Sequence, residues 1–361
     1  MSLRVLVAGG GIVGCLTALE LAERGCRVTL VERNEIASQR SGEASWAGAG
    51  ILFPLLPWMY SPAVNRLALT GAGLYPTLCK RLLMESGIDP EYRQTGMLIL
   101  PKFDRTAAIA WCQAHGVQAE VVSTQKMAIH VPEAGEGLWL PGVAQLRPPH
   151  LLKALRMMLE RRGVELLERT ELKPLPAATH MQHWETLDGV KLEADRFVVT
   201  SGAWSFELLR ANALKLNIKP MRGQILLYEQ PADGPMHMVF HEGFYLVPRQ
   251  DGVLLAGSTL EDVGFDPATT GTVREELRLK AESLLPALKG RPILKHWSGL
   301  RPGTPENLPT IAAHPQIENL FLNTGHFRYG LTMAPCSARM TAALVCGEQP
   351  LHDAAPFAMP V

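Results

Sequence analysis

The chain has no excess of charge of either sign: Lys+Arg and Asp+Glu both number 35, so the formal net charge is zero. A balanced surface lacks the basic field that draws a protein to nucleic acid or to an anionic membrane, so neither partner is expected. Long apolar runs are missing too. No segment approaches the ~20 residues of a membrane span. A glycine motif begins so close to Met1 that no signal peptide fits before it. The six cysteines (Cys15, Cys26, Cys79, Cys112, Cys336, Cys346) form no C-x-x-C pair and have no histidine at ligand spacing. They read as reduced thiols of a cytoplasmic protein with no metal site. No internal repeat or low-complexity segment is present.

What is present is ample core material. Hydrophobic residues make up 47% and charged residues 19% of 361 residues, a length that suits about two lobes. Residues 5–14 carry the most information: Gly9, Gly11 and Gly14 stand at G-x-G-x-x-G spacing directly after the apolar run Val5 to Ala8. An amphipathic helix with Leu16, Leu19, Leu21 and Ala22 on its apolar side is expected next, then a strand from Arg27 to Val31 ending on Glu32. This order is a dinucleotide-binding turn. Gly9 permits the tight turn, Gly11 lets backbone approach a pyrophosphate, and Gly14 lets helix and strand pack closely. The phosphates would sit at the positive helix N-terminus, and Glu32 would take the ribose hydroxyls.

Further along, the residues predict helices at about 62–86, 104–115, 149–162 and 273–288. Alternating or β-branched segments around 97–101, 137–140, 224–229, 243–248 and 253–258 predict antiparallel strands. A small-residue stretch runs from Gly42 to Gly50, then a Pro-punctuated apolar loop, 52–59. A third nucleotide-domain unit spans 149–204 and a last βα unit spans 320–346. The fold class that follows is α/β: a discontinuous Rossmann-like domain (1–85, 147–218 and 301–361) with an inserted antiparallel-sheet α+β substrate domain (86–146 and 219–300). None of the histidines has triad or metal spacing, so satisfied structural histidines are expected, His241 and His326 included.

Four separated motifs occur in chain order: the glycine turn, Gly202-Ala203-Trp204, Arg301-Pro302-Gly303-Thr304-Pro305, and Gly325-His326-Phe327-Arg328-x-Gly330. Together they resemble the FAD-dependent D-amino acid oxidase superfamily, and within it the chain is similar to the bacterial glycine oxidases of thiazole (thiamine) synthesis. That likeness rests on residues 244–249, 299–304 and 325–328. Two positions depart from the family pattern: Tyr329, where asparagine is expected, and Leu260, where methionine is usual.

The resemblance implies FAD as cofactor, a small amino acid and O2 as partners, and a homo-oligomer, with a tetramer as one form. It implies that Arg301 binds a substrate carboxylate, with Tyr245 and Arg328 beside it as the other catalytic candidates. It assigns cofactor contacts to Gly9, Gly11, Ile12, Val13, Gly14, Glu32, Arg33, Ala44, Ser45, Ala49, Gly50, Ile51, Leu172 and Gly202, and to the run His326, Phe327, Arg328, Tyr329, Gly330, Leu331 and Thr332. Monomeric sarcosine oxidases attach FAD through a cysteine shortly after the arginine motif. Here that stretch is Pro305-Glu306-Asn307-Leu308-Pro309, so noncovalent FAD is expected. The implied reaction passes a hydride from the α-carbon of glycine, sarcosine or a small D-amino acid to flavin. It yields a 2-oxo acid, ammonia or amine, and hydrogen peroxide. The alternative is a dehydrogenase of the same fold that passes electrons to a quinone, for which the 52–59 run would be a candidate docking patch, although that run reads as a buried connection or lid flank.

Overall fold

The computed structural model describes residues 2–124 and 135–360. In chain order the first elements are β1 (Arg4–Ala8), α1 (Ile12–Glu23), β2 (Arg27–Val31), the short α2 (Ala44–Ala47) and α3 (Pro62–Ser86). Next come β3 (Arg93–Gln94), β4 (Met97–Ile99), α4 (Arg105–Ala114), β5 (Glu120–Ser123), β6 (Glu136–Leu140), β7 (Ala144–Gln145) and α5 (Pro148–Arg161). The middle of the chain supplies β8 (Glu165–Leu167), β9 (His183–Glu185), β10 (Lys191–Glu193), β11 (Arg196–Val199), α6 (Ser205–Leu209) and β12 (Lys219–Glu229). The rest is β13 (Met238–His241), β14 (Phe244–Pro248), β15 (Val253–Gly257), α7 (Gly271–Leu284), β16 (Ile293–Gly303), β17 (Thr310–Ala313), β18 (Leu320–Thr324) and α8 (Gly330–Cys346).

Two large sheets organise the chain. A six-stranded sheet runs β17-β18-β11-β1-β2-β8, parallel except at the β17 edge. Its central strands are buried on both faces, one core forming around Leu16, Leu30 and Leu155 and another around Leu6, Phe197 and Leu322. That explains their continuous apolar runs. β1 has β2 on one side and β11 on the other, so the carboxyl end of β1 is the switch point where α/β sheets open a ligand crevice. An eight-stranded sheet runs β16-β12-β15-β14-β13-β4-β6-β5. The two sheets draw on alternating stretches of chain, giving a discontinuous Rossmann-like part and an inserted, mostly antiparallel part.

Local chemistry sets several boundaries. Ser61 caps α3 by accepting from the Val64 amide, Pro62 opens the helix, and Gly87 closes it at φ 77°. Asp104 caps α4 in the same way through the Ala107 amide.

The structure also corrects details. α1 is not amphipathic: Ile12, Cys15, Leu16, Ala18, Leu19 and Leu21 are all buried, because α8 and α5 cover the sides that a surface helix would leave wet. α7 ends at Leu284 rather than near 288, since Pro286 forces the preceding Leu285 out of helical geometry (φ −132°, ψ 86°). β4 is antiparallel to β6 but parallel to β13. The strands β5 and β13, each four residues long, have no sequence expectation because so few residues carry no clear period of two. Arg301 lies inside β16, which continues to Gly303 on the far side of the expected 300/301 boundary.

Candidate active site

A cavity of about 500 Å³ opens at the carboxyl ends of β1, β2, β11 and β18 and extends to β16 of the second sheet. It brings together Gly9, Gly11, Ile12, Val13, Glu32, Arg33, Ala44, Ser45, Leu172, Gly202, Arg301, His326, Phe327, Arg328, Gly330 and Leu331.

At the β1–α1 turn each glycine has its own steric reason. Gly9 adopts φ +114°, and a Cβ there would lie 2.8 Å from the Thr200 carbonyl oxygen. A Cβ on Gly14 would stand 1.8 Å from the Gly9 carbonyl oxygen, so that residue packs the helix against the turn and does not face the cavity. Gly11 meets only Ser45 Oγ at 3.1 Å, leaving its face open to a ligand. The turn is braced from β11: Thr200 Oγ1 donates to the Ala8 and Gly9 carbonyls, and Ser201 Oγ donates to Ala8. Glu32 accepts from the Gly10 amide at 2.7 Å and the Asn34 amide at 3.0 Å, which fixes its carboxylate at the crevice. Arg33 stacks 3.9 Å over the Trp204 ring, whose other contact is Phe265.

The small residues of 42–51 divide between two tasks. Ser45 accepts from the Ile12 amide at 3.0 Å, and Ala44 lines the cavity beside it. Ala47 packs so tightly on β16 that a Cβ at Gly299 would come within 2.6 Å of it. Ala49, Gly50 and Ile51 turn away from the cavity and are knitted to β7. The amide of Leu146 donates to the Gly50 carbonyl, and the buried Arg249 donates to the Ala49 and Leu146 carbonyls. Burial lowers the Arg249 pKa to about 10, with Arg147 adding to the drop.

Arg301 stands opposite Met221 in the β12–β16 pair. Its guanidinium lies over Gly223, two residues along the same face, where a Cβ would come within 2.0 Å of Nη1. Nη2 donates to Ser258 Oγ at 2.8 Å and Nη1 to the Thr259 carbonyl at 3.2 Å. Among the described residues no carboxylate pairs with it. Burial holds its pKa below the ordinary arginine value, with Tyr245 opposing the drop and Arg328 adding to it. Tyr245 is buried on β14 opposite Gly257, next to Ser258, and interacts with Arg301 without lining the cavity. By contrast Arg222, on the same strand as Gly223, is ion-paired with both Glu261 and Asp266.

The two remaining motifs pin each other. Thr304 Oγ1 donates to the Gly325 carbonyl at 2.8 Å, and Asn307 Oδ1 accepts from the Arg328 amide. Arg328 is exposed at the mouth, beside Phe327. Tyr329 points away: its hydroxyl donates to the Leu55 carbonyl at 2.8 Å and its ring packs on Tyr60, so it acts on the pocket only through the loop it holds. Thr332 likewise bonds the Ile51 carbonyl. Leu260 is 44% exposed on the loop after β15.

His326 corrects the reading of the histidines as satisfied. It is 2% exposed, its Nε2 has no partner, and burial pushes its pKa down to about 3. His237, His241 and His296 also keep a buried ring nitrogen without a partner. In the 52–59 run Leu52 and Phe53 are buried and Met59 is 69% exposed, so most of that run faces the core. Trp204, Ser258 and Thr259 carry no role in the sequence reading. Trp204 belongs to a motif whose local pattern gives it no partner, and Ser258 and Thr259 are brought to Arg301 by the register of β15 on β12.

The crevice, the glycine cradle and the ribose-placed carboxylate together define a dinucleotide-dependent oxidoreductase. The chain belongs to the DAO family of FAD-dependent oxidoreductases, whose family model matches residues 4–344. It is 43% identical to glycine oxidase of Pseudomonas aeruginosa over 99% of both chains. It is 31% identical to the bifunctional protein ThiO/ThiG of Trichormus variabilis, covering 97% of this chain and 53% of that protein. The structure of glycine oxidase from Geobacillus kaustophilus superposes with a TM-score of 0.89, at 27% identity and 99% coverage of both. No helix among the described residues is long and apolar enough to cross a membrane.

The residues fit the FAD that this family uses. The Gly9 and Gly11 backbone is free of side chains where a pyrophosphate would lie, and Glu32 is fixed where a ribose would lie. An unpartnered buried ring nitrogen stands in the wall at His326.

Proposed function

We propose that this FAD-dependent amine oxidase of glycine oxidase type oxidises glycine and similarly small amines, sarcosine and small D-amino acids among them. The products are the 2-oxo acid (glyoxylate from glycine) and ammonia or the amine. The 9–14 turn, Glu32, Ser45 and the 325–331 turn would hold FAD noncovalently, and FAD when bound would supply two-electron acceptor chemistry with oxygen as the final acceptor and hydrogen peroxide as the product. The noncovalent assignment rests on the cavity lining, which contains none of the six cysteines. Likeness to thiazole-pathway glycine oxidases, and a relative bearing the name ThiO/ThiG, support a role in thiamine biosynthesis.

One observation carries the substrate assignment: Arg301 lines the cavity as a desolvated cation without a carboxylate partner. Its planar fork matches a substrate carboxylate with two parallel hydrogen bonds. Tyr245 supports that charge, and Arg328 at the mouth adds a second cation that favours anionic over neutral ligands. Anchoring the carboxylate orients the α-carbon, and alignment of this kind supplies several kcal/mol of barrier lowering. His326 is uncharged near pH 7 and adds no positive charge to the site there.

Oxygen uptake measured across glycine, sarcosine, D-alanine and D-phenylalanine tests the reading. Glycine and sarcosine should be the best substrates, with peroxide formed in equal amount to oxygen consumed. Efficient D-phenylalanine turnover with negligible glycine activity would overturn the substrate assignment. Reduced enzyme that reoxidises with a quinone but not with oxygen would make it a dehydrogenase.

A further inference from the structure

Away from the cavity, the fold joins two thiols from opposite ends of the chain. Cys26, in the turn between α1 and β2, and Cys346, the last residue of α8, hold their Sγ atoms 3.8 Å apart. Both are half-buried, whereas Cys15, Cys79, Cys112 and Cys336 are buried. The approach is fixed on both sides. The Cys26 amide donates to the Leu21 carbonyl, and Arg24 bonds Glu20 on α1 and Glu348 just beyond α8. Packing of α1 against α8 holds the two backbones together. A disulfide requires the sulfurs to close from 3.8 Å to a bonded separation of about 2.05 Å.

We propose that Cys26 and Cys346 form a modification site at which hydrogen peroxide closes a reversible disulfide between the turn before β2 and the end of α8. In the first step one thiolate attacks a peroxide oxygen. The O–O bond breaks, an S–O bond forms, and hydroxide leaves to become water, so sulfur loses two electrons and peroxide gains them. In the second step the neighbouring thiolate attacks the sulfenic sulfur. The S–S bond forms as the S–O bond breaks, and the oxygen leaves as water. The balance is two thiols and one peroxide giving one disulfide and two waters. Burial raises the Cys26 thiol to about 11, with Cys346 and Glu348 adding to the rise and Arg24 opposing it. The Cys26 thiolate is therefore a small fraction near neutral pH.

The site lies away from the chemistry. Cys26 precedes β2 at the amino edge of the sheet, while Glu32 follows β2 at the carboxyl edge. Cys346 ends the helix whose first residue, Gly330, meets the cavity. The cross-link therefore fastens the sheet without touching the pocket. The proposed oxidase reaction would generate the oxidant, but the test adds peroxide directly and stands apart from that reading.

FAD-loaded protein is exposed to peroxide, alkylated, and examined by intact mass, peptide mapping and thermal unfolding. The expected result is loss of the mass of two hydrogens, two fewer alkylated thiols, and a peptide pair joining Cys26 to Cys346. The Tm should rise on the order of 5 °C, because the bridge closes most of the chain into one loop, and dithiothreitol should reverse it. Cys26→Ser and Cys346→Ser should each abolish the cross-link and the Tm rise while keeping wild-type turnover. Oxygen addition at either cysteine without a joined peptide, or a bridge between two molecules, would overturn the proposal. Peptide mapping of the wild-type chain decides this even where a variant folds poorly.

Discussion

Replacing Arg301 with alanine removes a cavity cation that is desolvated and, among the described residues, has no carboxylate partner. The guanidinium is held by the Ser258 hydroxyl and the Thr259 carbonyl, neither of which carries charge, so it reaches full electrostatic compensation only with an anionic ligand. Losing one member of a desolvated, hydrogen-bonded ion pair costs roughly 2–5 kcal/mol. At about 1.4 kcal/mol per tenfold, Arg301→Ala should raise the apparent KM for glycine by about 30-fold to a few thousand-fold. FAD should stay bound, since the 9–14 turn and Glu32 are untouched. Arg301→Lys should rescue poorly because an ammonium cannot make two parallel bonds. Glycolate titration with flavin absorbance as the readout isolates binding from turnover: wild type should show a saturable spectral change and Arg301→Ala none. If the variant keeps near-normal glycine kinetics and the glycolate response, the anchor passes to Arg328.

Gly223→Ala should push the guanidinium aside, since a Cβ there falls 2.0 Å from Nη1; KM should rise with Tm nearly unchanged, and an unaltered KM refutes the assigned pose. Gly11→Leu should fold but lose FAD, because only Ser45 Oγ crowds that position in the protein; full flavin occupancy would contradict the placement of the turn. Gly14→Ala should lower Tm, since backbone at 1.8 Å cannot yield as a side chain can. His326, near 6.5 when unfolded and about 3 when folded, binds its proton only in the unfolded chain between those values. It therefore costs nothing above pH 6.5 and lowers stability as pH falls, by about 2 kcal/mol at pH 5. Urea unfolding at pH 7 and 5 should show His326→Asn losing less stability over that interval than wild type, and equal losses would contradict the burial argument.

What was legible in the sequence divides along a physical line. The Gly9–Gly14 turn is readable because each glycine answers a demand made by atoms within a few residues or one strand away. Helices α3, α4, α5 and α7 are each readable as helical stretches, while Ser61, Gly87 and Asp104 fix ends of α3 and α4 in the structure. Arg301 is readable as an identity within a motif, but its setting is not. Gly223, Ser258 and Thr259 lie about 40 to 80 residues distant in sequence, and the antiparallel registers of β12 with β16 and with β15 bring them to one guanidinium. The small residues at 42–50 show the same limit. Composition marks the stretch as close-packed without saying against what, and its partners divide among the cavity, β16 and Arg249. His326 goes further: burial depends on every element that closes over it, so spacing alone reads it as ordinary while its environment makes it the most depressed histidine described. A residue's type limits the chemistry it can perform, and the register of distant strands decides whether it is placed to perform it.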